Sequence, residues 1–462
     1  MKYISTRGQA PKLDFEGAML SGLARDGGLY VPERFPKFTK AEIAALRGRP
    51  YAEVAFAVCS KFTAGSIPAK DLKAMIAAAY GTFDHVAVTP VKQLGANDFL
   101  LELFHGPTIA FKDVAMQLLS RMMDWSLAKH KRRAVIVGAT SGDTGGAAVA
   151  AFEKSQNASL FVLHPHGRVS DVQRRQMTTV ESPSVHNIAL EGNFDDCQAI
   201  VKALFNDHGF RDKVGLAGVN SINWGRIMAQ IVYYFHAGLV LGAPDRAVSF
   251  TVPTGNFGNV FAGLVAKRMG LPVERFIIAT NSNDILDRTL KSGRYEVTGV
   301  HPTISPSMDI QVSSNFERLV YLANGRDPAA VRAAMGSLAQ SGAFSIKSPA
   351  LKSIRAEFTS GATSEADTAA TMARVLRETG ELVDPHTAVG LSVAGQVKSK
   401  APMVTLATAH PAKFPDAVTA ATGQTPRLPQ RLVHLMTAKE SFTILPNSAA
   451  AVRDFILARE GR

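Results

Sequence analysis

Short apolar runs and longer amphipathic stretches follow one another along most of the chain. From residue 99 onward, apolar runs alternate with stretches whose hydrophobic residues have helical spacing, which predicts strands that alternate with helices. This alternation is typical of parallel sheets covered by helices on both faces, so we expect an α/β fold. The predicted strands lie at residues 99–104, 134–138, 160–163, 248–252, 276–280 and 403–408, and helices begin near residues 112, 144, 259 and 414.

Two parts of the chain depart from this alternation. Residues 1–90 combine short loops with helical patterns at 41–46, 52–62 and 70–79, which predicts a small, mostly helical N-terminal unit. Residues 290–380 follow a less regular pattern. No internal repeat and no low-complexity tract is present, so a solenoid or an array of repeats is not expected.

The longest apolar stretch predicts a buried helix rather than a membrane span. It covers residues 227–243, is interrupted by Gln230 and His236, and falls short of the run of about 18 apolar residues that a span needs. We therefore expect no membrane partner. The first residues, MKYISTRGQAPKLDF, lack the apolar core of a secretory signal, which favours a cytoplasmic location.

Length and composition indicate a globular enzyme. A chain of 462 residues is too long for one core, so two or three packed units with a cleft between them are expected. Hydrophobic residues make up 46% of the chain and charged residues 19%, which argues against disorder. Cys59 and Cys197 lie far apart without a CxxC pattern, so we expect buried thiols and neither a disulfide nor a metal site.

The net charge of +12 leaves two classes of partner open. Scattered basic residues argue against a nucleic-acid interface, and the longest cluster, residues 129–133, is interpreted as a solvated helix end before a strand. A positive molecule would equally attract a small substrate that carries several negative charges. Nucleic-acid binding would predict a steeply salt-dependent affinity, whereas we expect weak, nonspecific attraction at most.

A lysine lies in the first loop where chemistry is expected, at the carboxyl end of a predicted strand. In the segment FHGPTIAFKDVA, Lys112 follows a Gly-Pro turn and begins an amphipathic run, so it falls in the first turn of a helix. The positive end of the helix dipole lowers the pKa of a partly buried lysine there. Such a lysine suits a Schiff base or a general base, and the alternative is an exposed lysine on an ordinary helix.

Two glycine-rich loops between strands and helices predict anion sites. GATSGDTGGAA, residues 138–148, offers amides and hydroxyls at a helix N-terminus, where a carboxylate could bind. PTGNFGN, residues 253–259, also precedes a helix and could hold a cofactor phosphate. Neither loop has the dinucleotide pattern GxGxxG with its acidic residue, nor the GxxxxGK pattern.

A fourth loop, LATAHPAKF, ends the last predicted strand. The hydroxyl of Thr408 could bond a neutral ring nitrogen, and Lys413 follows Pro411 closely. Together the four loops resemble the signature of the threonine synthase family, in the tryptophan-synthase-like group of fold type II pyridoxal-phosphate enzymes. The segments YISTRG and DGGLYVPE resemble the N-terminal extension of the longer bacterial and fungal type, and the resemblance runs from Met1 to the last strand and helix.

The resemblance implies a domain organisation and a cofactor. It implies a threonine synthase N-terminal domain at 1–90, a pyridoxal-phosphate-dependent catalytic region of two parallel-sheet α/β subdomains at 91–430, and a C-terminal segment at 431–462 that packs on it. By the same resemblance Lys112 forms the Schiff base and Thr408 faces the pyridine nitrogen. The residues expected around the cofactor phosphate are Gly255, Asn256, Phe257, Gly258 and Asn259.

Asp143 is a further cofactor-binding candidate. Many relatives have an asparagine that faces the phenolic oxygen of the cofactor, and Asp143 occupies the aligned position as in other long-type members. For the substrate phosphate we select Arg226 and Lys413, because a guanidinium fork suits that anion. A surface or interdomain salt bridge is the alternative for both residues. The candidates for the substrate carboxylate are Ser141, Gly142, Thr144 and Gly145.

The implied reaction converts O-phospho-L-homoserine and water to L-threonine and phosphate by β,γ-elimination and replacement. A serine or threonine deaminase, or a lyase that acts on O-phosphothreonine, is the alternative on the same fold. A noncatalytic protein that keeps the old catalytic fold and binds nucleic acid or has a regulatory role is a third interpretation. Residues 301–310 form either a mobile wall of the cleft or a plain loop, and a monomer and a homodimer both stay open.

Overall fold

The computed structural model describes residues 1–461. Arg462, the last residue of the predicted C-terminal segment, lies outside the described residues. The strands, numbered in chain order, are β1 (Tyr3–Ser5), β2 (Tyr30–Pro32), β3 (Val91–Gln93), β4 (Asp98–Glu102), β5 (Ala134–Ala139), β6 (Ala158–Pro165), β7 (Val185–Glu191), β8 (Leu216–Ala217), β9 (Val248–Pro253), β10 (Val273–Thr280), β11 (Arg294–Glu296), β12 (Ala343–Ser345), β13 (Phe358–Ala362), β14 (Met403–Ala407) and β15 (Thr443–Pro446).

Helices account for most of the remaining chain. The α-helices are α1 (Phe15–Ser21), α2 (Lys40–Ala45), α3 (Tyr51–Thr63), α4 (Ala69–Tyr80), α5 (Lys112–Lys129), α6 (Asp143–Phe152), α7 (Asp171–Thr178), α8 (Phe194–Asn206), α9 (His208–Val214), α10 (Trp224–Val240), α11 (Gly258–Arg268), α12 (Ile285–Ser292), α13 (Phe316–Ala323), α14 (Pro328–Ser341), α15 (Ser348–Glu357), α16 (Glu365–Thr379), α17 (Pro385–Ala394), α18 (Pro415–Thr422) and α19 (Ala449–Glu460). Short 3-10 turns lie at Pro306–Met308, Pro411–Lys413 and Gln430–Met436.

Two largely parallel sheets form the catalytic region, which confirms the expected α/β fold. One sheet has the strand order β13-β10-β9-β14-β4-β3, parallel except for the β3–β4 pair at its edge. The other has the order β15-β7-β6-β5-β8 and is parallel throughout. Strands such as β9 and β14 are buried along their whole length, as sheets covered on both faces require.

The N-terminal unit is mostly helical, as predicted, and it packs directly on the catalytic region. Helices α1 to α4 accompany a small antiparallel pair, β1 and β2. The rings of Tyr3 and Phe62 lie 5.9 and 5.7 Å from that of Trp224, at the start of α10. Helix α10 is buried around its circumference, which confirms the buried helix expected in this stretch. One continuous hydrophobic core therefore joins the two parts.

The chain's irregular region is more ordered than the sequence pattern indicated. Residues 297–312 contain only the 3-10 turn, yet four helices, α13 to α16, follow before residue 380, so the expectation of irregularity was wrong there. Helix α14 explains the error, because Val331 is its one buried residue and the apolar periodicity is weak.

Three smaller features of the structure relate to the sequence analysis. The C-terminal segment adds β15 to β7 and places α19 against α8. Cys59 and Cys197 are both buried, and the basic cluster at 129–133 is an exposed helix end before β5, as predicted. Within residues 1–461, no helix is both long and apolar enough to cross a membrane.

Candidate active site

Lys112 begins helix α5, and the loop before it is fixed to the end of β14. The Phe111 amide donates to the Thr408 carbonyl at 2.8 Å, and the His410 amide donates to the Ile109 carbonyl at 3.0 Å. Ile109 has a φ of 53°, a left-handed conformation that a β-branched residue adopts only when its surroundings hold it. These contacts place the lysine at the carboxyl ends of the strands, where ligands of open α/β sheets bind.

Asp143 is the centre of the charged cluster around Lys112. Its Oδ2 lies 3.4 Å from Lys112 Nζ and accepts a hydrogen bond from the Ser307 hydroxyl at 3.1 Å. Its Oδ1 lies 2.8 Å from Lys413 Nζ and accepts from Gln173 Nε2 at 2.9 Å. Loops that follow β4, β5 and β14 thus meet at one carboxylate.

The charges of the cluster shift the pKa values of Asp143 and Lys112. Burial opposes ionisation of Asp143, yet the ammonium groups of Lys413 and Lys112 hold the pKa of this carboxyl well below its ordinary value. Burial lowers the pKa of Lys112; Asp143 opposes that shift, and the positive charges of Lys413 and Arg226 add to it. The structure therefore agrees with the lowered lysine pKa that was inferred from the sequence, although burial rather than the helix dipole is the main cause.

Lys413 is completely buried, and its hydrogen-bonding capacity is used by the protein. Besides Asp143, its Nζ donates to the Thr108 carbonyl and to Gln176 Oε1, both at 3.0 Å. An ammonium has three donors, so none remains for a substrate phosphate in this arrangement. Lys413 is a structural partner of Asp143 here.

Arg226 is buried with part of its guanidinium unpaired. Its Nη1 donates to the Val219 carbonyl at 3.2 Å, while Nε has no partner among residues 1–461. Burial lowers the pKa of Arg226 to about 10. It is 2% exposed and forms no ion pair within the described chain, which argues against a surface or interdomain salt bridge. A buried unpaired cation is costly, and an anion bound beside it would offset that cost.

The loop at 253–259 forms a tight turn into helix α11. Phe257 has a φ of 62°, and its ring packs at 5.4 Å from Phe316, so only its backbone can face a ligand. A Cβ on Gly255 would lie 3.0 Å from the Ser307 carbonyl, so a side chain would be crowded there. The side-chain oxygen of Asn259 accepts from two tyrosines, and its buried Nδ2 has no partner among the described residues.

Thr140 organises the loop that was expected to bind the substrate carboxylate. Its hydroxyl oxygen accepts from the amides of Gly142 and Gly145, both at 2.9 Å. Those two amides are therefore occupied, while the amides of Ser141, Asp143 and Thr144 form no hydrogen bond with residues 1–461. The glycine at 142 is required, because its φ is 147° and a Cβ would lie 2.5 Å from the Gln173 side chain.

Thr408 completes the predicted set. Its side chain is buried, and its hydroxyl makes no hydrogen bond with the part of the chain that the structure describes.

Four residues were not among the sequence candidates: Thr140, Gln173, Gln176 and Ser307. The two glutamines lie one turn apart on α7, and only the packing of α7 against α6 gives them their role. Residues 1–461 contain no group of three or more His, Cys, Asp or Glu that could hold a metal ion.

Family sequence profiles match nearly the whole chain. They are described as threonine synthase N terminus at residues 2–80, pyridoxal-phosphate dependent enzyme at 82–344, and threonine synthase, C-terminal, at 387–456. Threonine synthase from Pseudomonas aeruginosa is 55% identical over 99% of this chain and 98% of its own length. The enzyme from Methylobacillus glycogenes is 42% identical over 99% of each chain.

Solved structures agree with these matches. The crystal structure of threonine synthase from Brucella melitensis with bound pyridoxal phosphate has a TM-score of 0.97 and 61% identity, over 99% of each chain. Threonine synthase from yeast has a TM-score of 0.93 and 38% identity, over 100% of this chain and 99% of that one. The chain therefore belongs to the threonine synthase family of pyridoxal-phosphate-dependent enzymes.

Proposed function

We propose that this chain converts O-phospho-L-homoserine and water to L-threonine and phosphate, with Lys112 as the residue that binds pyridoxal phosphate and moves the substrate protons. The observation that carries the proposal is Lys112, whose side chain is only 12% exposed, which faces Asp143 and lies within the field of Arg226. Its lowered pKa increases the fraction of neutral amine, the form that attacks an aldehyde or accepts a proton.

The residues of the site fit the cofactor. The amides at the start of α11 and the unpaired Nδ2 of Asn259 are suitable donors for its phosphate, together with the turn Gly255, Asn256, Phe257 and Gly258. The hydroxyl of Thr408 is suitable for the pyridine nitrogen. When bound, pyridoxal phosphate supplies an electron sink for negative charge that develops on the substrate carbons.

We propose that Asp143 stabilises and positions the ammonium groups of Lys413 and Lys112. An ionised carboxylate only accepts hydrogen bonds, so it pairs with Lys413 permanently and with the Lys112 ammonium whenever that group is protonated. This arrangement favours a lysine that can take up a proton at Nζ, since Asp143 stabilises the protonated form. It also lets Lys112 return that proton later to a different carbon.

Substrate recognition is assigned to two regions. Arg226 receives the substrate phosphate, because its unpaired Nε gains the charge-assisted hydrogen bond that the protein does not supply. The amides of Ser141 and Thr144 receive the substrate carboxylate, with Gly142 and Gly145 shaping the turn rather than donating to it. We do not assign Lys413 to the substrate.

A kinetic comparison tests this proposal. Phosphate release and threonine formation from O-phospho-L-homoserine are measured on the wild type and on Lys112→Ala, and the wild type alone is expected to form both products. Serine, threonine and O-phosphothreonine are supplied in parallel. Faster turnover of any of these than of O-phospho-L-homoserine would replace the proposal with a deaminase or a phosphothreonine lyase.

The remaining proposals concern the whole molecule. We propose the domain division 1–90, 91–430 and 431–462; the change of family profile between residues 80 and 82 lies near the first of these boundaries. We also propose a cytoplasmic location, which cell fractionation tests. The positive net charge of +12 is assigned to the attraction of an anionic substrate rather than a nucleic acid.

A further inference from the structure

A serine from the irregular region reaches the central carboxylate of the site. Ser307 lies in the 3-10 turn Pro306–Met308, and its hydroxyl donates to Asp143 Oδ2, the oxygen that also faces Lys112 Nζ. Asp143 follows β5 of the five-stranded sheet. The turn that carries Ser307 is attached to the other sheet, so this hydrogen bond connects the two sheets at the site.

Two independent contacts fix the turn to the six-stranded sheet. Asn281, directly after β10, donates from Nδ2 to the Asp309 carboxylate at 2.8 Å and to the Ser305 hydroxyl at 2.9 Å. The backbone amide of Ser307 donates to His386 Nε2 at 3.1 Å. His386 lies on α17, which packs on β9, β10 and β14.

The contacts of His386 determine its tautomer. A backbone amide can only donate, so Nε2 must be the acceptor and the ring proton must lie on Nδ1. Nδ1 lies 2.7 Å from Asp384 Oδ2, which accepts that proton's hydrogen bond. Asp384 is fully buried, caps the N-terminus of α17 and accepts from the amides of His386 and Thr387 at 3.0 Å. Its carboxylate therefore holds the imidazole in one orientation.

We propose that Asp384 and His386 are positioning residues, which hold Ser307 so that its hydroxyl shares the Asp143 oxygen with Lys112. This proposal deepens the proposed function, because it assigns a set of residues that acts on Lys112 through Asp143. Among residues 1–461, neither His386 nor Asp384 forms a hydrogen bond with Lys112. Their influence passes through one backbone amide and one hydroxyl.

The physical effect follows from competition for one oxygen. The hydrogen bond from the Ser307 hydroxyl spreads the negative charge of Asp143 and weakens its attraction for the Lys112 ammonium. The other charges that act on Lys112 are Lys413 and Arg226, and neither contacts Ser307. Loss of the Ser307 donor therefore strengthens the Asp143–Lys112 pair and favours the protonated lysine.

The test measures Lys112 directly in the cofactor-free protein. Trace acetylation over a pH series, read by mass spectrometry of the peptide that contains Lys112, gives the pH at which half of the amine is reactive. Ser307→Ala removes the hydroxyl alone, and His386→Asn keeps a donor near Asp384 but has no atom at the Nε2 position. Both are expected to raise the midpoint by about 0.5 to 1 pH unit.

Two further variants make the comparison specific. His386→Gln can offer an amide oxygen near the Nε2 position and is expected to stay closer to the wild type than His386→Asn. Ser392 lies on the same helix as His386, and its hydroxyl pairs with that of Thr363. Ser392→Ala is therefore expected to leave the midpoint unchanged. The acid limb of the pH profile of kcat should move upward with the midpoint in the loaded enzyme.

The outcomes separate the two proposals. Wild-type midpoints in both Ser307→Ala and His386→Asn overturn the positioning role, even if His386→Asn lowers the melting temperature, because stability alone is then affected. If His386→Asn does not fold, a wild-type midpoint in Ser307→Ala still overturns the positioning role, and a raised midpoint there supports the role only together with a near-wild-type midpoint in His386→Gln. A shifted midpoint in an enzyme that forms no threonine would contradict the proposed function and leave the positioning role intact.

Discussion

Asp143→Asn tests whether the central carboxylate stabilises the buried ammonium of Lys413 and the partly buried ammonium of Lys112. The substitution preserves the shape of the side chain and removes its charge. Lys413 Nζ, 2.8 Å away and completely buried, would keep two neutral acceptors and lose the carboxylate that forms its ion pair among residues 1–461. Removing one partner of a buried ion pair costs about 3–5 kcal/mol, so we expect a loss of that order in the free energy of unfolding.

The matched variants are Lys413→Met and the double variant with Asp143→Asn. Lys413→Met leaves Asp143 with Lys112 at 3.4 Å as its remaining counter-ion, so a smaller loss is expected. The double variant leaves neither charge, and its loss should be at least about 2 kcal/mol smaller than the sum of the two single losses. Urea unfolding of the cofactor-free proteins at constant pH gives the four free energies.

The dependence of stability on acid pH tests whether the ionised Asp143 stabilises the folded state. The pKa of Asp143 is depressed in the folded state, so its contribution is present above the unfolded pKa of about 4 and is lost as pH falls toward the folded value. Below about pH 4 the wild type should therefore lose stability with a steeper slope than Asp143→Asn. Additive losses in the double variant, within about 0.5 kcal/mol, would refute the ion-pair reasoning.

Two further predictions concern substrate binding and loop geometry. Arg226→Met removes a buried cation that the protein leaves partly unpaired, so the free energy of unfolding should be unchanged or higher by about 1 kcal/mol. KM for O-phospho-L-homoserine should rise at least about tenfold, because the substrate phosphate loses its guanidinium partner. An unchanged KM would show that Arg226 does not bind the substrate. Gly142→Ala forces a Cβ to within 2.5 Å of the Gln173 side chain, in a backbone with φ of 147°. The free energy of unfolding in urea should therefore fall by about 1–3 kcal/mol. The control is Gly336→Ala inside α14, where a Cβ meets nothing within 4 Å, and this variant should be as stable as the wild type.

The sequence indicated the candidate site because strand ends are local features. The loops after β4, β5, β9 and β14 could each be recognised from an apolar run followed by glycine, proline or a polar residue. Parallel strands bring their carboxyl ends together, so Lys112 and Asp143 could be expected near one another. The helical N-terminal unit and the buried helix were predictable for the same reason, since their hydrophobic periodicity is strong.

Pairings within the site could not be predicted from the sequence. Whether Lys413 binds a substrate or Asp143 depends on distances of a few ångströms between loops that lie far apart in the chain. Ser307 lies in residues 301–310, which were expected to form either a wall of the cleft or a plain loop. This segment has no helical or strand periodicity, so its contact with Asp143 in particular could not be predicted. The tautomer of His386 likewise depends on a backbone amide 79 residues away in the chain.

The most direct test of the central claim is the chemical identity of the residue that carries the cofactor. The purified protein is loaded with pyridoxal phosphate, reduced with borohydride and digested, and the modified peptide is identified by mass spectrometry. A single modified lysine at Lys112, absent from Lys112→Ala, is the predicted result. Modification of a different lysine, or no stable modification of the loaded wild type, would contradict the account.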